Sequence, residues 1–185
     1  MTESLIDLKA LLVEREDFEG GMVSKLREGL AQGGPQVRNL KDIIDTLNKR
    51  IAVAAPPQQK KIHLKLGVAS YFLGHVRSAV EHLSKADGPL AAYFLGQAHV
   101  ALGQSRQYAE GETDPTDHYE AAVKAFERAE KAGYAPQSVQ LQRSGVLRLQ
   151  GYLGEAKAIL NKLKDAAAHN PEYYYQEGAL AEAEG

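Results

Sequence analysis

The sequence predicts an all-α protein. Apolar residues recur at spacings of three and four almost throughout, and no stretch alternates with the period of two that a half-buried strand needs. Gly-Gly, Gly-Gly-Pro and Pro-Pro clusters punctuate the periodic segments. At 185 residues, 44% apolar and 25% charged, the chain is long enough to build a core without covalent staples. It has no Cys, which excludes disulfide frameworks, thiolate zinc sites, iron–sulfur clusters and cysteine nucleophiles. With 22 basic residues against 24 acidic ones, neither nucleic acid nor an anionic membrane is expected as a partner.

The elements follow in order. Residues 4–18 carry Leu5, Leu8 and Leu12 on one side, and residues 22–31 carry Met22, Val23, Leu26 and Leu30, with Gly20-Gly21 breaking or kinking the helix between them. After Gly33-Gly34-Pro35, a third helix spaces Val37, Leu40, Ile44, Leu47 and Ile51 as a seam and stops before Pro56-Pro57. Barely two heptads long, it packs on the rest of the chain rather than forming a coiled coil. Residues 1–55 are thus expected as an N-terminal segment of two or three helices. Glu3, Asp7 and Lys9 interrupt its first apolar stretch, so no signal peptide is expected there, and no run of about 18 apolar residues could span a bilayer. The expected location is cytoplasmic.

From residue 60 the chain repeats itself. Leu66-Gly67, Gly74, Ala79, Leu83 and Ala86 form one unit, and Leu95-Gly96, Ala122, Phe126 and Ala129 form a second, interrupted by residues 104–117. A third gives Ser144, Gly151, Ala156, Leu160 and Leu163. The steps Ala122 to Ala156 and Ala129 to Leu163 are both 34 residues. A partial fourth unit, or a capping helix, covers 171–185. Within the links, Asp87-Gly88-Pro89 offers a left-handed glycine followed by a helix-starting proline, and Asp114-Pro115 caps and starts the helix after the insertion.

This pattern resembles the tetratricopeptide repeat (TPR), a helix-turn-helix of 34 residues whose first helix holds a Leu-Gly pair and whose second holds Ala-x-x-x-Phe. Sel1-like repeats, with their longer turns, are the second choice because of the insertion. The resemblance spans 56–185, in units of about 60–88, 89–134 and 137–170. It implies a right-handed superhelix of antiparallel helix pairs, in which Gly67, Gly96 and Ser144 face Ala79, Ala122 and Ala156. Partner peptides would lie in the concave groove lined by the first helices. That face carries Leu64, Val68 and Tyr71 in the first unit, Tyr93 and Gln97 in the second, Arg148 in the third and Tyr175 in the fourth. The chaperone-tail carboxylate clamp of some TPR proteins is not expected, because Leu64, Val68, Phe94, Ser138 and Gln142 stand at its positions and none is cationic.

No chemistry competes with this reading. The six His residues form no His-x-x-x-His or His-Glu-x-x-His set, and no phosphate-cradling glycine loop precedes a Lys-Ser/Thr pair. The expectation is a noncatalytic adaptor without cofactor or metal, binding a peptide or helix of a partner protein. The alternative is a self-assembling scaffold that uses the open C-terminal repeat end or the N-terminal helices. Tyr173, Tyr174 and Tyr175 lie on a last helix with no second helix of its own unit to cover it, so the chain reads as a fragment of a longer array whose open end could stack on another copy.

Overall fold

The computed structural model describes residues 5–107 and 114–185, and every regular element among them is a helix. A π-helical turn, Ala10–Glu14, precedes α1 (Gly20–Ala31), α2 (Gly34–Ile51), α3 (Pro56–Phe72), α4 (Val76–Leu83), α5 (Pro89–Gln107), α6 (Thr116–Lys131), α7 (Pro136–Leu149), α8 (Leu153–Leu163) and α9 (Pro171–Glu184). None of the described helices is both long and apolar enough to cross a membrane. The chain divides into two compact units, Met1–Phe94 and Leu95–Gly185, with the division inside α5.

In the first unit the helical pattern breaks over residues 15–19, just before the double glycine expected to break it: Glu19 is extended, and Gly20 and Gly21 form the start of α1. The seam of α2 differs slightly from the expected one. Leu40, Ile43, Leu47 and Gln36 are buried, while Val37, Ile44 and Ile51 flank them half-buried. Gln36 can be buried because its amide donates to the Ile6 carbonyl at 2.8 Å, which satisfies a polar group that would otherwise be costly to desolvate. Helix α3 is enclosed more completely than a one-sided amphipathic helix would be. Lys65 to Ser70 are six consecutive buried residues, which requires neighbours on every side. One neighbour is α4: a Cβ on Gly67 would lie 2.7 Å from Leu83 Cδ2, so only glycine lets the two helices approach this closely. Another is α2, and Arg27 of α1 places its guanidinium 5.8 Å from the ring centre of Phe72. The described part of the N-terminal segment, residues 5–55, therefore packs onto the first hairpin.

In the second unit, the same small-to-large contact joins α5 to α6. A Cβ on Gly96 would stand 2.6 Å from Phe126 Cε1, and one on Gly103 would stand 2.5 Å from Tyr119 Cε1. Ala122, Ala125 and Ala129 are buried along the same face of α6. Asp114 Oδ1 accepts from the Thr116 amide at 2.9 Å and from the Thr116 hydroxyl, holding the turn before α6. Of the expected insertion at 104–117, residues 108–113 lie outside the described residues. Arg143, which stands before Ser144 where the repeat pattern has the Leu of its Leu-Gly pair, bonds across from α7 to Glu130 at 2.7 Å and to Glu127 at 3.5 Å. Helix α9 packs on α7 and α8 through a core that includes Leu141, Leu160, Leu163, Tyr173 and Leu180. Asn170 caps it by accepting from the Glu172 amide at 3.0 Å.

Candidate functional site

The sequence-predicted groove residues divide between the two units and meet different surroundings. In the first unit, Val68 has no exposed surface and packs in the core, so it has none to present to a partner. Leu64 is half-buried beside Pro56, Pro57 and Lys60. Tyr71 packs edge-on against Phe72 and Phe94, with centroids 5.7 and 5.5 Å away, and Tyr93 does the same with Phe94 at 5.5 Å. Burial, and then the neighbouring Tyr93, push the Tyr71 hydroxyl above its ordinary pKa. These residues form an aromatic cluster that holds α3 to the start of α5, with Arg27 of the N-terminal helices lying over it.

The first unit also contains a cleft of about 370 Å³ lined by Arg15, Arg50, Lys61 and Lys65. Three of these cations are already engaged. Arg50 Nη1 donates to the Val13 carbonyl at 2.7 Å, and the buried Lys65 ammonium donates to the Arg15 carbonyl. Lys61 pairs with Glu16 at 2.7 Å and Asp17 at 2.8 Å. Burial, and then Arg50, hold the Lys65 ammonium below the ordinary lysine range. The cleft is a latch for the segment before α1.

In the second unit, three of the seven expected residues converge. Gln97, Arg148 and Tyr175 line one groove of about 260 Å³, built by α5, α7 and α9. Between them runs a polar chain that the sequence reading missed. Glu172 Oε1 accepts from the Gln142 amide at 3.2 Å and from the Gln176 amide at 2.8 Å. Because the carboxylate only accepts, the nitrogen of Gln176 must face it, which turns Oε1 the other way. That oxygen is buried and has no hydrogen-bond partner, and neither has the buried Nε of Arg148. Gly145 makes the room: a Cβ there would stand 2.8 Å from Gln176 Oε1. Tyr175 stays 62% exposed at the rim.

Gln176 and Arg148 both line this groove, and each carries one buried polar atom without a partner, an acceptor and a donor respectively. A buried polar atom without a partner costs about 1–3 kcal/mol, a cost that a ligand carrying the complementary group would remove. The spacing Glu172-x-x-x-Gln176, one helical turn, was the available sequence signal. Gln142 was visible too, although only as a residue that could not serve as a cation. Among the described residues, no group of three or more His, Asp or Glu side chains is arranged to hold a metal ion. No family model, curated protein or solved structure matches the chain.

Proposed function

We propose that the protein is a noncatalytic interaction module that holds an extended segment of a partner protein in the groove of its second unit, and that its helix pairs are TPR-like. The observation that carries the reading is the pair of unsatisfied groups, Gln176 Oε1 and Arg148 Nε, in one groove with Gln97 and Tyr175. A peptide backbone offers one donor and one acceptor per residue, the complement of that pair. Tyr175 supplies a large, conformationally cheap contact surface at the rim, and Arg148 a forked cation of the kind that anchors interfaces.

The module reading also draws support from the closely approaching glycines at Gly67 and Gly96, which stand at the Leu-Gly positions of the repeat pattern. The test is to select peptides from a random displayed library against the full chain and measure the selected peptide by fluorescence anisotropy. Arg148→Ala and Gln176→Ala should each weaken binding at least about tenfold, equivalent to 1.4 kcal/mol, with helicity unchanged by circular dichroism. Selected peptides whose affinity ignores both substitutions would remove this groove from the account.

Self-assembly is the second reading, and exposed tyrosines favour it. Tyr174 is 55% exposed and Tyr152 is 54% exposed in the second unit. Light scattering over a hundredfold concentration range distinguishes the two, since stacking through these rings raises the mean mass with concentration and Tyr174→Ser reduces that rise.

A further inference from the structure

Two histidine pairs bridge helix hairpins, and both are built in the same way. His63 on α3 faces His82 on α4 with Nδ1 to Nδ1 3.0 Å, and His99 on α5 faces His118 on α6 with Nδ1 to Nδ1 3.1 Å. Ring centroids are 5.2 and 5.4 Å apart, and the rings are tilted by 37° and 36°. The sequence carries the same duplication. His63-Leu64-Lys65-Leu66-Gly67 corresponds to His99-Val100-Ala101-Leu102-Gly103, and Glu81-His82-Leu83 to Asp117-His118-Tyr119, every position shifted by 36 residues. In each hairpin the glycine, four residues after the first histidine, meets the residue that follows the second histidine: Gly67 meets Leu83 and Gly103 meets Tyr119. Close approach at the glycine is what brings one imidazole against the other a turn away.

We propose that each pair, His63 with His82 and His99 with His118, is a chelating site for a divalent late transition metal ion that favours right-angled coordination, copper(II) or nickel(II). The two Nδ1 atoms supply adjacent ligands and water supplies the others. The geometry selects the metal. With a metal–nitrogen distance of about 2.0–2.1 Å, nitrogens this far apart subtend roughly 90–100° at the ion, nearer to tetragonal than to tetrahedral coordination. Zinc, which prefers the wider tetrahedral angle, fits less well, and the order of intrinsic affinities also places copper(II) above it.

The rings are held in the form a metal needs. Burial lowers the pKa of His63, His82 and His99, the last to about 4, so that at neutral pH these rings are uncharged. Moving the shared proton from Nδ1 to Nε2 leaves both lone pairs facing the ion. The Glu81 carboxylate next to the first pair adds a favourable charge for a cation, although Lys85 holds it at 2.9 Å.

The test uses the full chain after removal of metals with a chelator. Copper(II) and nickel(II) are titrated by calorimetry, with zinc(II) as comparator. Two ions per chain are expected, with zinc the weakest. His63→Gln with His82→Gln should remove one equivalent, His99→Gln with His118→Gln the other, and the fourfold variant both. Each double variant serves as a control for the folding of the other. Copper(II) electron paramagnetic resonance on the unmodified chain should show coupling to two nitrogens, a result that depends on no variant. A chain that retains neither copper nor nickel at about 100 µM, or a folded fourfold variant that still takes up two ions, overturns the assignment.

Discussion

At the scale of single residues, glycines in this chain play opposite roles that a substitution to alanine separates. Gly96 faces the ring of Phe126, which has no exposed surface and no room to retreat. Gly96→Ala should therefore cost about 1–3 kcal/mol through overpacking, less what the better helix propensity of alanine returns. Gly178 in α9 has nothing within 4 Å of a built Cβ, so Gly178→Ala should stabilise by about 0.5–1 kcal/mol. Urea denaturation of both variants checks the pair, and equal signs would contradict the packing described. The histidines give a pH dependence of defined sign. Burial, and then His118, push the His99 pKa down to about 4 from an ordinary 6.5, so the unfolded chain binds more protons between those values. The stability from a neutral His99 is thus complete above about pH 6.5 and is lost as the pH falls toward 4. His63 and His82 act in the same direction. A melting temperature that falls from pH 7 to pH 4.5, with a smaller fall in His99→Gln, is the expected outcome. The six histidines were legible in the sequence, but their pairing was not, because linear spacing within one helix says nothing about which side chains meet across two.

At the scale of elements, helix existence was readable from periodicity and close approach at Gly67 and Gly96 from the recurring Leu-Gly pairs, but the residues expected to face them were Ala79 and Ala122, whereas the nearest side chains are Leu83 and Phe126. The assignment of faces was less legible. From Leu66 to Phe72 helix α3 has apolar or small residues all round, so that stretch carries no direction that marks one side as open. Its enclosure follows from α2 and from Arg27, which are remote in sequence. Val68 was assigned to a groove because the repeat pattern places it there, yet it has no exposed surface. Helix α9 illustrates the converse. Its apolar residues look too sparse for a core, yet Tyr173 and Leu180 are 3% and 4% exposed against α7 and α8. Leu180→Ala should cost about 2–5 kcal/mol, a cavity effect measurable by thermal or chemical denaturation. A cost below 1 kcal/mol would show that α9 docks weakly and that the groove it helps to line is not preformed.

At the scale of the whole molecule, the two compact units differ in what they leave open. The first buries the face of its central helix under its own N-terminal helices, whereas the second keeps a groove with unsatisfied polar groups. Removing residues 1–55 should expose apolar surface around Val68 and Ala69, both fully buried in the complete chain. The truncated protein should bind a hydrophobic dye and lose solubility, while a chain that stays monomeric and dye-silent would contradict the enclosure of α3. The segment preceding α1 buries Leu8, Leu11, Leu12 and Val13, and it is held in a second way as well. Lys65 and Arg50 grip it through the carbonyls of Arg15 and Val13, atoms that every amino acid carries alike. Such a grip is blind to side-chain identity: the exposed position 15 is free to drift in sequence without loosening it, whereas Val13 is tied down a second time by its buried side chain.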